Sequence, residues 1–158
     1  MPEAATRVKR PAEIVLAFDY GARRIGVAVG QTESGTASPA GTLPARGAPD
    51  WPAVGRCLAQ WGPQRLLVGV PYNMDGSDTA MTAACREFAS ELGKRMSLPV
   101  ELVDERLTSA AATTELRDAR RSGTRARRVR REDIDANAAR LILETWLRST
   151  PADRGSNS

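Results

Sequence analysis

An apolar run that ends in an acid and turns straight back on itself sets the architecture of this chain. Residues 14–19 (IVLAFD) read as a buried strand, GARR as a turn and residues 25–30 (IGVAVG) as a second strand, so the pair forms an antiparallel hairpin. A weaker strand signal lies around 41–45. After it the pattern changes to alternation. From Asp50, a helix-capping residue, apolar side chains fall at Val54, Cys57, Leu58 and Trp61 with helical spacing. LLVGV (66–70) is a continuously apolar run, as in strands buried on both faces. It stops at Pro71, and YNMDGSD is turn chemistry. A helix with Met81, Ala84, Cys85, Phe88 and Leu92 on one face follows, then a strand at 99–104, a helix beginning near Thr108 and a last helix over 133–148. A meander followed by alternating units predicts an α/β fold. Its mixed sheet has antiparallel strands first, parallel strands after them and helices on both faces. The expected layout is one domain over 14–148, with flexible segments at 1–13 and 149–158.

What the chain lacks narrows its chemistry. It has no histidine, which removes Ser-His and Cys-His nucleophile pairs, histidine metal sites and histidine bases together. Its two cysteines, Cys57 and Cys85, each fall inside an apolar helical pattern and read as small hydrophobes rather than a disulfide. No apolar run approaches the roughly 20 residues needed to span a bilayer, and the N-terminus lacks a signal-peptide core. A cytoplasmic protein without a membrane role is expected.

Charge points to a polyanion. The net charge is +4, but residues 117–131 hold eight arginines against one acid, a net of +7 that leaves the rest of the chain at −3. An arginine cluster of this density, including Arg125, Arg127, Arg128 and Arg130, suits phosphate contacts; the plain alternative is a solvated basic loop.

Three acids stand at element ends. Asp19 lies where a buried strand meets a glycine turn, and Glu105 lies just past another strand, in VDERLTS. Asp135 is in the first turn of the last helix, in line with Ala138, Ala139, Ile142 and Trp146, so it points toward the sheet. An inward-facing carboxylate is costly unless compensated. A hard divalent cation compensates it, and two such ions activate water for phosphodiester cleavage without histidine. Each acid also has a structural reading: an Asx turn at Asp19, an ion pair of Glu105 with Arg106, and a helix-dipole role for Asp135.

The segments DYGARRIGVAV (19–29), VGVPYNMDGSDT (68–79), VDERLTS (103–109) and IDANAARLIL (134–143) resemble, in order, the motifs of the YqgF family of Holliday junction resolvases, also described as pre-16S rRNA nucleases. The resemblance covers nearly all of 14–148. It implies an RNase H-like fold and an enzyme that cleaves phosphodiester bonds with Mg²⁺ or Mn²⁺, two ions being expected. It places Asp19, Glu105 and Asp135 as metal-holding catalytic acids. At other matched positions, Gly21 would admit a phosphate close to the backbone, Arg24 and Arg106 would neutralise phosphates, and Asn73 and Ser77 would offer hydrogen bonds near the site.

The sequence departs from the family pattern at Gly30-Gln31, where Ser-Asp is usual, and in the arginine richness of the basic stretch. Structured RNA is the favoured partner, through maturation of the 5′ end of 16S rRNA. A branched DNA junction cut by a homodimer is the alternative, and a monomer would serve for RNA. Two further readings are a non-catalytic nucleic-acid-binding module and an actin-like phosphotransferase, for which 158 residues are too few.

Overall fold

In the computed structural model, residues 12–107 and 131–149 are described. The strands are β1 (Ile14–Tyr20), β2 (Arg24–Gln31), β3 (Thr36–Pro44), β4 (Arg65–Val70) and β5 (Val100–Asp104). The helices are α1 (Trp51–Trp61), α2 (Thr82–Met96) and α3 (Arg131–Arg148), with a 3₁₀ turn at Glu105–Leu107. The sheet order is β3-β2-β1-β4-β5. β1–β2 and β2–β3 pair antiparallel, whereas β1–β4 and β4–β5 pair parallel. This is the mixed sheet expected of an RNase H-like domain.

Both faces are covered. Leu16, Phe18, Ile25, Val27, Leu66 and Val68 bury one face under Val54 and Cys57 of α1 and Phe88 and Leu92 of α2. Val15, Ala17, Ala28, Leu67 and Val103 bury the other under Ala139, Ile142, Leu143 and Trp146 of α3. Alternate residues of each strand thus serve opposite layers, which is why β1 and β4 read as unbroken apolar runs. α1 starts as its sequence predicts: Asp50 accepts a hydrogen bond from the Ala53 amide at 3.1 Å, and Gly62 (φ 61°) closes the helix in the left-handed region. Cys57 and Cys85 are both free and buried, as expected.

Two expectations need adjustment. β3 begins at Thr36 rather than near residue 41. It is an edge strand, largely exposed, and its pairing with β2 shifts register between Val27 and Ala28, so Ala40 bulges out and the two-residue alternation is lost. At the N-terminus Glu13 is already anchored, its amide donating to Thr32 Oγ1 (2.8 Å) and its carboxylate pairing with Arg65 (3.0 Å). The predicted helix near Thr108 and Arg125, Arg127, Arg128 and Arg130 lie outside the described residues. Among those described, no helix is long and apolar enough to cross a membrane.

Candidate active site

The two-residue period that buries Val15 and Ala17 against α3 delivers Asp19 to the same side of the sheet. Its partner across the β1–β2 ladder is Gly26. A Cβ on Gly26 would collide with the backbone carbonyl of Asp135. That missing side chain lets the start of α3 settle on β2, and it brings Asp135 to Asp19. Glu105 arrives from the other direction. It continues the row of Glu101 and Val103, and its Oε2 would lie 2.7 Å from a Cβ on Gly69, so it occupies the space a side chain there would fill. The structure therefore gathers all three acids named from sequence.

Their electrostatics are mutually unfavourable. The Asp19 carboxyl is pushed up to about 8, first by burial, then by the charges of Glu105 and Asp135, and by a hydrogen bond with Glu105. Glu105 is also pushed up, first by burial and further by the Asp104 charge, against the lowering effect of its bond with Asp19. Asp19 and Glu105 are thus hydrogen-bonded to each other, and burial and repulsion work against both carrying charge. Asp135 is held by Arg24, whose Nε donates to Oδ2 at 2.8 Å, with both side chains partly accessible. Beneath the acids, Cys85 is driven up to about 12 by burial and by the charges of Glu105 and Asp19, so its thiol stays protonated and is no nucleophile.

The donor set suits a hard divalent cation. Oxygen ligands are what such an ion takes, and a cation at this point would offset the repulsion among the acids. As they stand, no three His, Cys, Asp or Glu residues among those described are drawn tightly enough to hold an ion, and Arg24 occupies one face of Asp135.

A stability prediction follows from Asp19 alone. Its folded value of about 8 lies above the ordinary 3.8, so between those limits the folded chain retains a proton that the unfolded chain has lost. The associated stability is full below about pH 4 and drains away as the pH rises toward 8, by at most about 1.4 kcal/mol per pH unit. In chelator, the wild-type Tm should fall across this window and the Asp19→Asn profile should be flatter and higher at pH 8. Parallel profiles would show that Asp19 carries no such proton.

Other predicted residues take different places. Glu105 does not pair with Arg106. Arg106 instead grips Asp104, with Nη2–Oδ2 at 2.6 Å, and lies over the Tyr72 ring at 5.5 Å. Although burial works the other way, Arg106 holds the Asp104 carboxyl below its usual range. Asn73 and Ser77 spend their donors inside their own loop: Asn73 Nδ2 donates to Ser77 Oγ (3.0 Å) and the Asp78 carbonyl (3.1 Å), and Ser77 Oγ donates to Asp75 (2.6 Å). Gly21 closes the β1–β2 turn, its amide donating to the Arg24 carbonyl at 3.0 Å where a Cβ would sit 2.8 Å from that oxygen. Gly30, one of the two departures from the family pattern, lies where a Cβ would meet Leu143 of α3 at 2.8 Å. Gly26 and Gly69 are the positions sequence reading missed. For Gly26 the signal was the small residue at every second place of RIGVAVG; Gly69, inside the apolar run LLVGV, carried no such pattern.

A mixed α/β sheet with three acids converging at its strand ends, and no histidine in the chain, defines a carboxylate-centred site. Residues 13–149 match the family profile RuvX, described as Holliday junction resolvase. The chain belongs to this RuvX (YqgF) family. Among curated proteins it is 48% identical over 135 residues to a protein of Marinobacter nauticus, covering 85% of this chain and 92% of the relative. It is 45% identical to one of Pasteurella multocida, covering 84% and 93%. Both relatives are provisionally named pre-16S rRNA nuclease. Among solved structures, Thermus thermophilus RuvC in complex with a Holliday junction substrate aligns at 16% identity and a TM-score of 0.47, over 82% of this chain and 90% of that one.

Proposed function

We propose that this chain is a divalent-metal-dependent endonuclease of the cytoplasm that hydrolyses phosphodiester bonds in structured nucleic acid and processes the 5′ end of pre-16S rRNA. The observation that carries this reading is the grouping of three acids: Asp19 is hydrogen-bonded to Glu105, and the start of the last helix, with Asp135, is seated on Gly26 across from Asp19, so a cation there would offset their mutual repulsion. Asp19, Glu105 and Asp135 would hold Mg²⁺ or Mn²⁺, as one ion or two. Such an ion, when bound, supplies an activated water and neutralises charge at the leaving oxygen.

The chain's own residues do the rest. Asp19, Glu105 and Asp135 would face the ion as carboxylates. Arg24 steadies Asp135 and, having a guanidinium edge left over, faces a phosphate beside the reacting one. Arg106, braced by Asp104 and Tyr72, faces phosphates on the other flank. The NMDGS loop, stiffened by Asn73 and Ser77, sets that flank's position, and Arg125, Arg127, Arg128 and Arg130 add charge for the backbone.

The names of the relatives favour RNA, and the family description favours a DNA junction. The deciding experiment offers the purified protein a pre-16S leader fragment and a mobile four-way junction in the same Mg²⁺ or Mn²⁺ buffer. Endonucleolytic cutting of the RNA is expected. Symmetric nicking of the junction with the RNA left intact would give the substrate to DNA, and a clean protein that cuts neither would refute the enzyme.

A further inference from the structure

Outside 117–131 the chain is net acidic, yet one groove is lined by three arginines and no acid. It has a volume of about 820 Å³ and runs between the β1–β2 turn and the end of β3, with Arg23, Arg24 and Arg46 on its walls and Thr42 between them. The backbone fixes this grouping: the Ala45 amide donates to the Arg23 carbonyl at 3.0 Å, pinning the segment that carries Arg46 against the turn that carries Arg23. Arg23 and Arg46 are exposed, and among the described residues neither guanidinium has an acidic partner. Arg24 joins the groove to the acids, since it lines the one and bonds Asp135 in the other.

Like charges are placed together without counterions only at a cost in repulsion, and a polyanion removes that cost. We propose that this groove is a backbone track: it carries the sugar–phosphate chain of the substrate away from the acids across β2 and β3, with Arg23 and Arg46 each on a phosphate. The track lies on the opposite side of β1 from Tyr72 and Arg106, so the substrate crosses the strand ends and is gripped on both sides of Asp19. The contacts are to phosphate, and they read no sequence. This inference rests on the nuclease reading above.

The test uses the full chain and a labelled pre-16S leader fragment, with binding measured in chelator so that nothing is cut. Arg23→Gln combined with Arg46→Gln should lower the slope of log affinity against log salt by roughly 1.4 to 1.8, the share of two phosphate contacts. With metal restored, KM should rise and kcat at saturation should hold. A charge-matched control, Arg56→Gln with Arg148→Gln, alters exposed arginines outside the groove and should leave the slope near that of the wild type. A wild-type slope in the groove variant, or an equal fall in the control, would overturn the track. A wild-type chain that binds no structured nucleic acid would overturn the nuclease reading itself, along with the track.

Discussion

Asp19→Asn should reduce metal-dependent cleavage by more than about a hundredfold while nucleic-acid affinity stays equal or rises. The size follows from the role proposed for this side chain. Removing a group that merely orients a metal ligand already costs 10–100-fold in metal affinity or activity, and Asp19 would be a ligand. It is also the acid whose charge is most opposed, lying between Glu105 and Asp135. The amide keeps the shape and can still bond Glu105, so folding should survive and stability in chelator should improve. Affinity is retained because the phosphate contacts belong to arginines, and the amide brings no negative charge near a phosphate at any pH. Single-turnover cleavage with purified protein, together with binding in chelator, separates the two effects. Substantial cutting by the variant would remove Asp19 from the reaction.

The partners of these acids were less legible than the acids themselves. Asp19, Glu105 and Asp135 stand at the ends of strongly patterned elements, where a two-residue or helical period says which way each side chain faces. The β1–β2 hairpin, β4 and α1 were clear for the same reason: apolar runs between glycine and proline turns admit few readings. β3 was not, because an exposed, bulged edge strand has no buried face to impose alternation. Arg106 illustrates a different limit. Adjacency to Glu105 suggested an ion pair, yet neighbouring residues at a strand end point apart, and Asp104, two positions from Arg106, takes the guanidinium instead. Asn73 and Ser77 read correctly as polar loop residues, but sequence does not say whether such donors face outward or close their own turn. The groove of Arg23 and Arg46 was invisible because it unites residues from a turn and the segment after β3, over twenty positions apart.

Gly26 makes the strongest claim about how the fold builds the site. A methyl group there meets the Asp135 carbonyl, which is backbone and cannot swing aside. Gly26→Ala must therefore lift the start of α3 off β2. Overpacking of this kind costs about 1–3 kcal/mol. The displacement carries Asp135 away from Asp19, and a misplacement of about 1 Å in a catalytic group can cost about a hundredfold in rate. Gly30→Ala is the informative partner. Its methyl would meet the Thr36 carbonyl and the Leu143 side chain, further along the same strand and two turns along α3 from Asp135. It should lower Tm comparably yet spare much more of the activity, since the acids stay together. Thermal melts and cleavage rates of the two variants, compared below both melting transitions, decide the matter. Equal loss of activity in both would mean that the glycines serve α3 packing in general; activity lost at Gly26 and kept at Gly30 would show that this glycine seats Asp135 against Asp19.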